Sequence, residues 1–268
     1  MTLVRILALP LLLLSPSLIA QQSATLKLSS VVSSVEVTHN SIIETSRVEA
    51  TTLQSIQKSN KPTDIKICPL FGEVTKSECQ KAIDKDFLEM CDKNFKTRDE
   101  ASSFFSARAW EYLAEGEKDT ATYRFNLAWL LDSTQTDSYW GLGVIEYQKE
   151  HYPAAIKLMQ TGLAMSETDN LTLMVDLATV YIKCFTIDQN PEDMAKAFDL
   201  LDKAIAIQPQ YANAYMQMAL AKLINGKIDD AWINFHKGYE LDPESANPDI
   251  LHELLSQKDD PEQLFRKQ

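Results

Sequence analysis

Residues 211 to 243 read YANAYMQMALAKLINGKIDDAWINFHKGYELDP. An aromatic residue, Tyr215, is followed by a large apolar and a small residue, Met218 and Ala219, then by Ala231, Phe235, Gly238 and a closing Pro243. Apolar residues at helical spacing make this two antiparallel helices, each too narrow to bury its own stripe. The same order returns upstream. Phe105, Ala109, Tyr112, Ala121, Phe125 and Ala128 form a first copy, and Tyr139, Leu142-Gly143, Ala155, Met159 and Gly162 a second. Met174, Leu177-Ala178, Tyr181, Ala197, Leu201, Ala204 and Pro209 form a third.

Two columns keep the register. Alanines at 121, 155, 197 and 231 fall 34, 42 and 34 residues apart, and small residues at 109, 143, 178 and 219 fall 34, 35 and 41 apart. The period and the residue order resemble the tetratricopeptide repeat (TPR) family, over about half of the chain. The resemblance implies an all-α fold, a right-handed solenoid of about four helix-turn-helix repeats over residues 101–245. Small residues let the helix backbones approach, while Phe125 or Phe235 fills the space beyond. Arg108 replaces a large apolar residue, Glu146 and Lys222 replace the second aromatic, and Ser133 and Glu167 replace the closing proline. Extra residues between Tyr181 and Ala197, around Asp188-Gln189-Asn190-Pro191, are expected to lengthen the turn inside the third copy.

The flanks differ in character. Residues 1–20 carry Arg5, an apolar run from Ile6 to Leu14 and a small Ala20 before Gln21-Gln22, the pattern of a secretory signal peptide. The run is short of the roughly 20 apolar residues that span a bilayer. Residues 21–62, rich in Ser and Thr, read as a disordered tether. In the 63–100 region Thr75-Lys76-Ser77-Glu78 has the form of a capping box ahead of Cys79, Ala82, Ile83, Phe87, Met90, Cys91 and Phe95 at helical spacing. That helix is expected to cap the array. Over 246–268, Asn247-Pro248 and Asp260-Pro261 are expected to open two further capping helices. The segment from Pro69-Leu70-Phe71-Gly72 to Asp132 is also similar to uncharacterised exported bacterial TPR proteins. A periplasmic or secreted protein is therefore expected.

Cys79 and Cys91 lie twelve residues apart on one expected helix, about 18 Å, so they cannot pair. Cys68, just ahead of that helix, is within reach of Cys79 and is the favoured disulfide partner. The alternative is four reduced thiols. The cysteine spacing contains no CxxC pair, which argues against zinc. A formal net charge of −12, or −13 without Arg5, with no compensating basic cluster, disfavours nucleic acid and anionic membranes as partners. No integral membrane segment is expected after removal of residues 1–20.

Chemistry is absent from the motifs. The four histidines, His39, His151, His236 and His252, have no His or Cys at metal spacing, and nucleophile elbows and phosphate loops are missing. No catalytic residue, metal or cofactor is expected. Helical phase instead places Trp110, Trp140, Val144, Tyr147, Thr179, Met216 and Leu220 on a concave surface, which argues for a scaffold binding a peptide or protein partner. The lysine, arginine and asparagine of the family's carboxylate clamps do not appear at these places, where Ser106, Trp140 and Val175 stand instead. Two alternatives remain open: a groove filled by the chain's own termini, and an enzyme-accessory or small-ligand protein with a pocket in the same groove.

Overall fold

The computed structural model describes residues 64–166 and 168–266, so the signal-type segment 1–20 and the Ser/Thr-rich segment 21–62 lie outside the described residues. Ten α-helices and no strand occur among the described residues. They are α1 (Glu78–Asn94), α2 (Arg98–Ala114), α3 (Lys118–Leu131), α4 (Thr136–Gln148), α5 (Tyr152–Met165), α6 (Leu171–Asp188), α7 (Pro191–Ile207), α8 (Ala212–Ile224), α9 (Ile228–Leu241) and α10 (Pro248–Gln257). The eight helices α2 to α9 are those expected from the repeats. The chain divides into two compact units, one ending at Ile145 and the other beginning at Glu146.

In the N-terminal unit, α2 and α3 form an antiparallel pair with Ala109 and Ala121 fully buried. The Ser102 hydroxyl donates to the Ala128 carbonyl at 2.8 Å, a contact open only to helices in close approach. Helix α1 brings Phe87 and Cys91 onto Phe105, Leu127 and Leu131, with the Phe87 and Phe105 rings edge to face at 5.3 Å. Its start differs from the sequence reading. Ser77, two residues later than Thr75, is the N-cap, and it exchanges hydrogen bonds with Gln80 at 3.3 and 2.8 Å. A serine three residues before a glutamine satisfies two end amides at once, and Thr75 has no such partner at Glu78.

Ahead of α1, residues 64–73 form a strap over α3. The buried Asn126 side chain accepts the Leu70 amide at 2.7 Å and donates to the carbonyls of Lys66 and Cys68, both at 2.8 Å. The strap then makes a left-handed turn, with φ of 52°, 54°, 73° and 52° at Leu70, Phe71, Gly72 and Glu73. Only the glycine adopts this conformation without strain. Burial of Leu70 and Phe71 and the three bonds to Asn126 hold the others there.

In the C-terminal unit, consecutive helices from α5 to α10 pack in chain order, and Ala155, Ala178, Ala197, Ala219 and Ala231 are fully buried. Helix α10 covers α8 and α9 with Ile250 and Leu254. The two positions of this unit where the second aromatic is replaced have physical substitutes for the missing ring. The carboxylate of buried Glu146 lies 2.8 Å from His151 Nδ1 and 3.3 Å from Lys149 Nζ, and the Lys222 ammonium stands 4.5 Å from the Phe198 ring centroid.

Turns inside the pairs share one device. The Glu117, His151 and Lys227 amides each donate at 2.9 Å to the carbonyl five residues back, across a left-handed residue: Gly116, Glu150 or Gly226. The third pair departs from the expected long loop. Helix α6 runs on to Asp188, Gln189 turns with φ 59°, and Asn190 already caps α7. Extra residues there lengthen two helices, because helix extension keeps every backbone group bonded where a loop would not.

Residues 260–266 also depart from expectation: they form turns and bends, not a second capping helix. The Asp260 carboxylate accepts the Glu262 amide at 2.9 Å and the Phe265 amide at 2.8 Å, competing directly with a helical ladder.

Candidate functional site

The seven side chains expected to form one lining fall into both units. Trp110, Trp140 and Val144 belong to the N-terminal unit, and Tyr147, Thr179, Met216 and Leu220 to the C-terminal one.

Within the N-terminal unit, Trp110 on α2 is 9 % exposed and meets two rings edge on: Phe125 at 5.2 Å and Trp140 at 4.9 Å. Trp140 on α4 is half-buried, so its indole covers Trp110 and keeps a face to solvent. One helical turn earlier stands Asp137. Burial pushes its carboxyl up from the ordinary range, although part of the residue still meets solvent. A carboxyl crowded by protein yet reachable by water is what a recess in a helical surface produces. Val144 is fully buried and is a packing residue.

In the C-terminal unit Tyr147 is 9 % exposed and lies edge to face with Tyr152 at 5.7 Å. Burial, reinforced by the charges of Tyr152, Cys184 and Asp176, pushes its hydroxyl up to about 12. Buried Thr179 turns its hydroxyl back onto the Val175 carbonyl at 2.9 Å. Met216 lies against Gly238 of α9, where an added Cβ would come within 2.8 Å of its terminal methyl, so it fills the α8–α9 interface. Leu220 is likewise buried. Helical phase identifies the side of a helix; it does not distinguish a lining residue from one that seals the neighbouring pair.

The expected Cys68–Cys79 pair is not joined in the structure. All four cysteines are free thiols. Bonds from Asn126 fix the strap around Cys68, and its thiol turns back toward the Asp64 carbonyl at 3.6 Å, whereas Cys79 is exposed on the first turn of α1. Burial first, then the Asp92 charge, pushes the Cys91 thiol up to about 12; burial, Asp193 and Asp188 push Cys184 up to about 11. Thiolates are the reactive form. In the native protein at neutral pH, iodoacetamide is therefore expected to label Cys79 while Cys91 and Cys184 react only on unfolding. Mass mapping that found Cys91 labelled first would contradict this placement.

Among the described residues no cluster of three or more His, Cys, Asp or Glu side chains could hold a metal ion, and no helix is long and apolar enough to cross a membrane. Two small cavities lie elsewhere. One, about 210 Å³, is lined by Leu255, Asp260 and Phe265; the other, about 60 Å³, lies between the strap and α1 beside Phe71 and Asp84.

No protein-family model matches the chain, and no curated protein matches it in sequence. Solved structures do. PilF from Pseudomonas aeruginosa is similar with a TM-score of 0.51 and 19 % identity, over 59 % of this chain and 68 % of that one. The Cut9–Hcn1 hetero-tetramer of the APC/C contributes a match with a TM-score of 0.50 and 17 % identity, over 64 % of this chain and 32 % of that chain. YrrB, described as a TPR protein with an unusual peptide-binding site, is similar at a TM-score of 0.43 and 21 % identity, over 59 % of this chain and 87 % of that one. At these identities the likeness is one of fold.

Proposed function

Because the chain has the fold of the tetratricopeptide-repeat proteins, we propose that it is a non-catalytic scaffold that binds a peptide or protein segment. The observation that carries this reading is Trp140: a half-buried indole, backed edge on by Trp110 and preceded, one helical turn earlier, by the desolvated Asp137. Tryptophans at protein interfaces supply large apolar area with few rotamers, and they dominate hot spots. A small-ligand reading in the two cavities described is less well supported, since neither reaches the roughly 300 Å³ of an ordinary ligand pocket. For compartment, the residues of 1–20 support export to the periplasm or outside the cell, and the mass of the purified native protein tests it: retention of residues 1–20 contradicts the reading.

Trp140→Ala is expected to weaken partner binding by about 2 kcal/mol, roughly a thirtyfold loss in affinity. Since the indole also packs on Trp110, stability falls by about 1 kcal/mol. Ala155→Leu serves as the control, because overpacking a fully buried helix contact costs about 1 to 3 kcal/mol of stability. Thermal melts and quantitative partner capture from cell-envelope extract compare the two. Equal capture by Trp140→Ala and wild type would remove the reading, as would unfolding of Trp140→Ala as severe as that of Ala155→Leu.

A further inference from the structure

The C-terminal segment is joined to the repeats by few contacts of an unusual kind. Trp232, Phe235, His236 and Tyr239 lie at i, i+3, i+4 and i+7 of α9 and so share one face. Phe265 enters that face: its ring lies 5.6 Å from Phe235 and 5.0 Å from Tyr239, both edge on, and stacks on His236 at 6.2 Å. On its other side the His236 ring stacks on Trp232 at 5.2 Å. The imidazole also reaches two carboxylates of the segment, Nε2 to Asp260 Oδ1 at 2.9 Å and Nδ1 to Glu262 Oε1 at 3.2 Å. The Nε2 approach lies off the line of a hydrogen bond.

The Asp260 carboxylate is fully buried and accepts the Glu262 and Phe265 amides as well as facing the ring. The arrangement thus sets one ring nitrogen against each of two carboxylates, with an aromatic plug beside them. Between these anchors the segment is loosely held. Pro261, Glu262, Gln263 and Leu264 are exposed, leaving Asp260 and Phe265 as the residues that enter the protein. Trp232 is buried with its indole N–H unpartnered, an incomplete polar contact at the base of the same face.

We propose that this face of α9 is a recognition site for an acidic–aromatic peptide of the pattern Asp-Pro-Glu-x-x-Phe, and that residues 260–265 are its resident, displaceable occupant. The site is separate from the Trp140 surface and does not depend on that reading. His236 presents one ring nitrogen to each of the two carboxylates. The slot bounded by Phe235, His236 and Tyr239 selects the aromatic ring by shape. The face itself belongs to α9 of the repeats.

Fluorescence anisotropy of a labelled peptide spanning residues 257–268 tests this with full-length protein. Wild type is expected to bind it weakly, because its own segment fills the site. The double variant Asp260→Ala/Phe265→Ala is expected to bind it at least about tenfold more tightly, and adding His236→Phe, which keeps a ring and removes both ring nitrogens, to reverse about tenfold of that gain. The proposal is overturned if the double variant binds no better than wild type, or if His236→Phe leaves its binding unchanged. It is equally overturned if the double variant loses cooperative thermal unfolding, since the segment would then belong to the core.

Discussion

Gly141→Ala is expected to destabilise the N-terminal unit by about 3 kcal/mol, more than the ordinary cost of an added methyl group in a core. A Cβ at this position would stand 2.0 Å from Cζ of Phe125 and 2.3 and 2.4 Å from its two Cε atoms. The ring has nowhere to retreat, since Phe125 is fully buried and its other neighbour is the Trp110 edge at 5.2 Å. Helix α4 must therefore move away from α3 or the ring must leave its rotamer. Intrinsic helix propensity runs the other way, favouring alanine over glycine by about 1 kcal/mol. Urea denaturation decides which effect wins: a variant as stable as wild type would show that α3 and α4 do not press together at this point.

Asn126→Ala is expected to cost about 3 kcal/mol and to free the strap. The substitution removes three buried hydrogen bonds and leaves the Leu70 amide without an acceptor. It also removes the tether that holds the left-handed turn, whose non-glycine residues each add about 1 to 2 kcal/mol of backbone strain. Asn126→Asp separates shape from chemistry. An aspartate can still accept from Leu70, but it loses both donations and sets a carboxylate oxygen against two carbonyls. It should thus be at least as harmful as alanine. Hydrogen exchange at the Leu70 amide measures release of the strap separately from global unfolding, and unchanged protection in either variant would show that apolar burial alone holds it.

These two sites mark the limit of what the sequence makes legible. The helix pairs were readable because alanine columns and motif aromatics carry their own period, and Ala109, Ala121, Ala155, Ala178, Ala197, Ala219 and Ala231 are all fully buried as that period implies. Phe125 was recognisable as a ring filling the space between helices. What it presses against was not, since Gly143 occupies the motif's small position and drew the reading away from Gly141. Asn126 carries no pattern at all; its partners lie 56 to 60 residues away. The strap's left-handed turn was not read from the sequence, since its three non-glycine residues take that conformation only under tertiary constraint. Of the candidate surface, Trp110 and Trp140 do meet, yet Val144, Met216 and Leu220 are packing residues. A spacing rule gives the same phase to a residue facing outward along a pair and to one closing its seam. The His236 contacts depend on where a nonhelical tail returns, which no periodicity encodes.

The third helix pair shows how such a chain changes size. Helices α6 and α7 have 18 and 17 residues, while α8 and α9 have 13 and 14. At 1.5 Å per residue the first arm gains roughly 8 Å and the second roughly 5 Å over the neighbouring pair. Growth fell on both arms, and the turn is only Gln189 and Asn190, against residues 225–227 in the next pair. The hairpin thus lengthens outward like a telescoping rod, while Ala178 and Ala197 at its base keep their contacts. A foreign epitope spliced between Gln189 and Asn190 would ride on that overhang, displayed beyond the neighbouring pair.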